Sequence, residues 1–150
     1  MFRVKDAKKS LDFYQNILGM ELLQESPGGD FTNYFLAFPE EGKENLTMEE
    51  KSARKWQREG ILELCHNWGT ESDPEFKGYA NGNEEPGRGF GHICYSVDSL
   101  EEECARLEKL DVEFKKKPHE GKMRHIAFIY DPDKYWIEIV NNSPPKSSGL

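Results

Sequence analysis

The chain has 150 residues, enough for one domain or two small halves, and 36% of them are hydrophobic. Its 20 basic and 28 acidic residues give a net charge of −8, which argues against nucleic acid or an anionic membrane as a partner, because both attract basic proteins. No apolar run approaches the roughly 20 residues of a membrane span, and the N-terminus lacks the apolar core of a signal peptide. Three cysteines without a CxxC pair fit a reducing compartment, so we expect a soluble, cytoplasmic protein.

The first half of the chain predicts a strand, a helix and three further strands. Residues 2–4 form a short extended run, Asp6 is suited to cap the helix N-terminus, and Gly19 is suited to follow its C-terminus. Apolar residues at helical spacing line one face of this helix: Leu11, Tyr14, Ile17 and Leu18. Three extended runs follow, at residues 20–23, 34–38 and 61–66.

The second half repeats this order. An extended run at 91–97 precedes a helix that begins at Ser99, where Glu102 completes a capping-box pattern. Three more extended runs follow, at residues 112–114, 126–130 and 135–140. The repeat predicts an α+β fold of two βαβββ modules, 1–67 and 89–142, which pair because neither buries its sheet and helix well alone.

Three stretches fall outside the repeat. Residues 40–58 are charged and helix-prone, and we interpret them as a solvated insertion. Residues 68–88 are rich in Gly, Asn, Glu and Pro, which is typical of a linker. Residues 143–150 are expected to form a mobile tail.

Two glutamates occupy corresponding places in the last strands of the two modules. Glu63 and Glu138 are each flanked by large aliphatic residues, and the simplest interpretation is that they face water while their neighbours face the core. A concave sheet would instead direct both acids into a shared pocket. His92 would add an imidazole, and this set suits Zn²⁺, Ni²⁺, Co²⁺ or Mn²⁺, although a lone strand histidine is more often structural. His66 lies three positions from Glu63 and is expected on the opposite face.

Other reactive groups have mainly structural interpretations. We interpret the three cysteines as small buried hydrophobic residues: Cys65, Cys94 and Cys104. Several cations on this acidic chain could bind an anionic ligand, although solvated surface charge explains each one singly: Arg3, Arg88 and residues 115–117.

Five ordered runs carry a resemblance to a known family. They are RVKDAKKSLDFYQNILGM, LELCHNWGTE, GFGHI, KKKPHEGKM and AFIYDPDKYWIEI. From Met1 to about Asn142 the chain resembles glyoxalase I, lactoylglutathione lyase, of the eukaryotic zinc-dependent type, in the vicinal oxygen chelate superfamily. The resemblance implies two paired βαβββ modules and a homodimer with sites formed between subunits, while the acidic charge already argues against a nucleic acid or membrane partner.

The resemblance also implies a metal site. Glu63, His92 and Glu138 match the family's metal ligands, and the implied cofactor is Zn²⁺, with other divalent metals possible. The family's fourth ligand is a glutamine whose place falls upstream of Met1. We therefore expect an N-terminally truncated chain with weaker metal binding and reduced activity.

The glutathione site is implied in the same way. Arg3, Asn67 and Arg88 match residues that hold the ends of glutathione, while Lys116 and Met123 match residues that close over the substrate. Two positions where the family usually has glycine carry other residues here, in turns that we expect to tolerate them: Asp111 and Lys134.

The implied reaction isomerises the hemithioacetal of methylglyoxal and glutathione to S-D-lactoylglutathione by metal-assisted proton transfer through an enediolate. Glu138 would be the base, and Glu63 would serve the other substrate enantiomer. One alternative is a weakly active or inactive isoform that acts as a glutathione-conjugate or metal-binding module. Another is a ring-cleaving dioxygenase or fosfomycin-type transferase, which Glu63 disfavours because those enzymes typically have His at that place.

Overall fold

The computed structural model describes residues 1–43 and 45–143 and divides the chain into two units between Tyr79 and Ala80. This boundary lies within the stretch 68–88. The expected mobile tail lies outside the described residues, except for Ser143. None of the helices in the described ranges has the length and apolar character needed to cross a membrane.

The first unit contains one four-stranded sheet and two short helices. Its strand order is β1-β4-β3-β2, with β1 parallel to β4 and the other pairs antiparallel. Its elements are β1 (Phe2–Val4), α1 (Ala7–Asp12), a π-helical turn (Phe13–Ile17), β2 (Glu21–Pro27), β3 (Phe31–Ala37), α2 (Met48–Arg54), a 3₁₀ turn (Lys55–Gln57) and β4 (Leu62–Asn67).

The second unit repeats this architecture. Its strand order is β5-β8-β7-β6, again with the first strand parallel to the last. Its elements are β5 (His92–Val97), α3 (Leu100–Lys109), β6 (Phe114–Lys116), β7 (Ile126–Tyr130) and β8 (Trp136–Asn141). The predicted α+β fold of two βαβββ modules is therefore confirmed.

Corresponding residues begin and end the helices of the two modules. The side chains of Asp6 and Ser99 cap α1 and α3 by accepting backbone N–H groups, as predicted. After each helix the chain turns through a left-handed residue, Gly19 at φ 79° and Asp111 at φ 55°. The helix predicted up to Leu18 ends in the π-helical turn, in which Leu18 N–H donates to the Phe13 carbonyl over 3.0 Å.

Side chains alternate between two faces of each sheet. On the face that packs against the helix, fully buried apolar residues form the core: Val4, Leu36 and Leu64 in the first unit, and Ala127, Ile129, Ile137 and Ile139 in the second. We call the opposite face of each sheet its distal face. The predicted metal and glutathione residues of β1, β4, β5 and β8 lie on the distal faces.

Candidate functional site

The second distal face pairs an imidazole with a carboxylate. His92 lies on β5 and Glu138 on β8, and His92 Nε2 is 3.0 Å from Glu138 Oε2. Ile137 and Ile139 flank Glu138 and point into the core, which holds the carboxylate on the distal side. The Phe128 ring packs edge-on against the imidazole at 5.1 Å and restricts its orientation.

This pair fits a shared metal ion. Two ligand atoms bound at about 2.1 Å to one ion lie roughly 3.0 to 3.4 Å apart, for tetrahedral or octahedral geometry, and the observed separation is 3.0 Å. Nitrogen and carboxylate donors suit Zn²⁺, Ni²⁺ and Co²⁺. Within residues 1–43 and 45–143 no three His, Cys, Asp or Glu side chains are grouped to hold a metal. The structure thus brings His92 and Glu138 together, while Glu63 belongs to the other unit.

Cys94 corrects one sequence interpretation. It is exposed rather than buried, because it shares the distal side of β5 with His92 and lies in register with Glu138. Partial burial and the neighbouring Glu138 carboxylate raise the pKa of the Cys94 thiol. Cys65 and Cys104 are buried as predicted, and burial raises the pKa of Cys104 to about 11.

The first distal face carries Glu63 and, farther along β4, a guanidinium–amide pair. Arg3 Nη1 donates to Asn67 Oδ1 over 2.7 Å, and the Tyr79 hydroxyl donates to the same oxygen over 3.3 Å. The structure therefore brings Arg3 and Asn67 together, as two polar groups that could hold a carboxylate. A planar guanidinium suits this role because its N–H groups match both carboxylate oxygens.

His66 faces away from Glu63, as predicted. It is buried on the helix side, where its Nε2 lies 2.8 Å from Glu71 Oε2. Backbone N–H groups and His66 lower the pKa of the Glu71 carboxyl. A cavity of about 480 Å³ on this side is lined by His66, Glu71, Tyr34 and Trp68, among others. This cavity lies on the opposite side of the sheet from Glu63.

The remaining glutathione candidates lie in the second unit, Arg88 and Met123 in loops and Lys116 at the end of β6. Arg88 is exposed and pairs with Glu85 over 2.8 Å. Lys116 Nζ donates to three backbone carbonyls, those of Lys117, Met123 and Ile126, over 3.1, 2.6 and 3.1 Å. These bonds use all three ammonium protons, so Lys116 fixes the loop that carries the exposed Met123.

The interpretation of residues 40–58 as fully solvated is wrong for their C-terminal part. Lys51 and Arg58 pair with Glu21 on β2. The two cations offset the free-energy cost of removing the Glu21 carboxylate from water. Lys55 is buried against the Phe35 ring on the first distal face. The burial of Lys55 was not predicted from the sequence. The signal that could have indicated it was Trp56, a large aromatic residue within a charged run.

Comparisons with known proteins agree with this architecture. Residues 1–139 match the family model of the glyoxalase/bleomycin resistance protein/dioxygenase superfamily. A lactoylglutathione lyase of Schizosaccharomyces pombe is 51% identical over 148 residues, which are 97% of this chain and 47% of that protein. The chain therefore spans about half the length of this relative.

Two further relatives are of more similar length. A lactoylglutathione lyase of Pseudomonas aeruginosa is 48% identical over 95% of this chain and 80% of its own length. The solved structure of Leishmania major glyoxalase I superimposes with a TM-score of 0.66 at 28% identity, covering 94% of this chain and 83% of that one. The chain belongs to the glyoxalase/bleomycin resistance protein/dioxygenase superfamily and, within it, to the family of lactoylglutathione lyases, or glyoxalase I.

Proposed function

We propose that this chain is a lactoylglutathione lyase, which isomerises the hemithioacetal of methylglyoxal and glutathione to S-D-lactoylglutathione. The observation that carries the proposal is the His92–Glu138 pair, with its donor atoms 3.0 Å apart, in a chain of this family. We further propose that Glu63 joins these two residues as a metal ligand and that the metal is zinc. A homodimer and a cytoplasmic location remain predictions.

The reaction moves a proton from C1 to C2 of the hemithioacetal, and Glu138 is the proposed base. A bound divalent metal would act as a Lewis acid that makes the C1 proton acidic. The Glu138 carboxylate accepts this proton and returns it to the neighbouring carbon. His92, whose Nε2 lies 3.0 Å from the Glu138 carboxylate, would hold the metal beside this base, and Glu63 would act on the other hemithioacetal enantiomer.

Binding of glutathione is assigned to polar groups outside this pair. Arg3 and Asn67 would hold one glutathione carboxylate through charge-assisted hydrogen bonds, and Arg88 would hold the other end. The loop fixed by Lys116 would place Met123 over the bound thioether. This assignment explains why an acidic protein keeps localised cations.

The test is formation of lactoylglutathione by the purified chain. Methylglyoxal and glutathione are supplied with zinc-loaded protein and with chelator-treated protein, and thioester absorbance and D-lactate after hydrolysis are measured. We expect metal-dependent formation of the D-thioester. A folded, zinc-loaded protein that forms no thioester would contradict the proposal, and formation in chelator-treated protein would contradict its metal requirement.

A further inference from the structure

Lys55 lies in the 3₁₀ turn after α2 and is a buried cation on the first distal face. It packs against Phe35 of β3, the strand next to the one that carries Glu63. It is 5% exposed, and its Nζ lies 3.7 Å from the centre of the Phe35 ring and 4.3 Å from that of Trp56. The Gln24 side-chain oxygen accepts one of its protons. No carboxylate among the described residues pairs with it. Since an ammonium has three donors and its burial is costly without partners, Lys55 can donate to a ligand that displaces Trp56.

Trp56 is the side chain that covers this ammonium. It is 75% exposed and meets the Phe35 ring edge-on at 5.6 Å. Few neighbours restrain such an exposed ring, so it can move aside at little cost in packing.

Asn33 supplies an independent second observation on the same face. Its Oδ1 is buried, and it accepts no hydrogen bond within the described residues. Asn33 lies two positions from Phe35 on β3, and its register partner is Cys65 of β4, so its side chain is on the distal side. A buried acceptor without a donor is rare in folded proteins and indicates a missing hydrogen-bond partner.

Gln24, Phe35 and Glu63 form a row across three strands. Lys55 contacts Gln24 and Phe35 of this row, and Asn33 lies two positions from Phe35 on the same face. Together they offer a donor and an acceptor. A hydroxyl group satisfies both, because it accepts from the ammonium and donates to the amide oxygen. A carboxylate would satisfy only Lys55, and a methyl group would satisfy neither.

We propose that these residues select 2-oxoaldehydes whose R group, the substituent on the ketone carbon, carries hydroxyl groups. The inference rests on the proposed function, in which Arg3 and Asn67 hold glutathione at the far end of β4, so that the R group points toward Lys55. The hydroxylated R group lies along Phe35 between Lys55 and Asn33. A site built to bind a hydroxyl discriminates against an analogue that lacks it, because its own polar groups are then left unpaired.

The first test compares two hemithioacetals that differ by one hydroxyl, those of hydroxypyruvaldehyde and methylglyoxal. In the zinc-loaded wild-type protein we expect the higher kcat/KM for the hydroxylated substrate. Lys55→Met and Asn33→Leu each lower the ratio of the two kcat/KM values by about tenfold or more. Lys51→Met is the matched control: it removes the same charge from the same segment and keeps the ratio. An unchanged ratio in both pocket variants overturns the inference.

The second test measures binding without turnover. Calorimetry compares S-(2,3-dihydroxypropyl)glutathione with S-(2-hydroxypropyl)glutathione, which lacks only the R-group hydroxyl, and we expect tighter binding of the diol, with the preference lost in Lys55→Met. Equal affinities for the wild-type protein overturn the inference. If the protein prefers the diol but does not turn over methylglyoxal, the result supports the inference about Lys55 and Asn33 and contradicts the proposed function. Failure of the inference can therefore be distinguished from failure of the proposed function.

Discussion

The two modules share one strand order, yet their distal faces carry different side chains. The second places His92 beside Glu138, with aromatic rings around them. The first places Glu63 in register with Phe35, whose ring contacts Lys55. Arg3 and Asn67 lie farther along the same face. The helix-side apolar residues fix the backbone in both modules, so the distal residues can differ without changing the fold. We therefore expect the second module to supply the main base, Glu138, and the first to supply the Arg3–Asn67 contact with glutathione and the contacts with the R group.

The largest expected effect is on kcat, and a matched pair of variants tests this division of roles between the modules. Loss of a general base lowers turnover by about 10²–10⁴-fold, so we expect Glu138→Gln to lower kcat by about 10³-fold. Glu63→Gln removes the same charge from the first module, and we expect a smaller loss, about tenfold. Steady-state kinetics with measured zinc content compares them. Equal losses in kcat at equal zinc content would contradict a division of roles between the modules.

Arg3 tests substrate binding by the first module. A hydrogen bond to a charged group contributes about 1.5–3 kcal/mol, so Arg3→Ala is expected to raise KM about 10- to 100-fold, with a smaller change in kcat. Arg54→Ala removes the same charge from α2 and serves as the control. The KM of each variant is measured with methylglyoxal hemithioacetal. A fall in kcat at unchanged KM would show that Arg3 acts in the chemical step rather than in binding.

The repeat predicted the fold because strand and helix periodicity act locally in each module. Asp6 and Ser99 cap the helices as expected. The π-helical turn at Phe13–Ile17 was not predicted, since its apolar spacing is the same as that of an α-helix. The burial of Lys55 was also missed, because a lysine in a charged run gives no signal that an aromatic ring on another strand will cover it.

The site was predicted only in part from local patterns. Strand alternation correctly placed His66 on the opposite face from Glu63, and it would also have placed Cys94 beside Glu138 had the cysteines not been assumed to be buried. The three carbonyl partners of Lys116 depend on how a loop closes, which no spacing in the sequence encodes. The repeat suggested Glu63, His92 and Glu138 as metal ligands only as one of two interpretations, the resemblance supplied the specific metal and glutathione roles, and these roles remain proposals.

The two modules can also be compared by how much stability one ion-paired carboxylate in each loses in acid, and the expected effects are smaller. Burial tends to raise the pKa of Glu21, but Lys51 and Arg58 together lower it below 4.5. Arg106 likewise lowers the pKa of Glu103 in the second module. A carboxyl whose pKa is lower in the folded state stabilises the fold above its unfolded pKa, and this contribution is lost as the pH falls through the folded pKa.

We expect Glu21→Gln to lower the free energy of unfolding at neutral pH by about 1–3 kcal/mol, since it leaves two cations facing an amide. Glu103→Gln should cost less, because the side chain of its partner Arg106 is 43% exposed and water can solvate it. Urea unfolding at neutral pH and at about pH 4 compares the variants with the wild type. If Glu21→Gln loses stability toward acid as steeply as the wild type, the stabilising role of this ion pair is wrong.

The smallest expected effect concerns backbone turns in the second module. Lys134 adopts φ 67° and Asp111 φ 55°, whereas Gly19 holds the corresponding post-helix turn of the first module. A left-handed conformation costs a residue with a Cβ about 1–2 kcal/mol, partly offset by the chain entropy that glycine loses on folding. Lys134→Gly should therefore raise the free energy of unfolding by up to about 1 kcal/mol, and Asp111→Gly by less, because aspartate tolerates this conformation better. Lys134→Ala loses the same exposed pair with Glu113 as Lys134→Gly but keeps the strain, so thermal unfolding should rank Lys134→Gly above Lys134→Ala. The reverse order would mean that the chain entropy lost by glycine outweighs the cost of the left-handed turn.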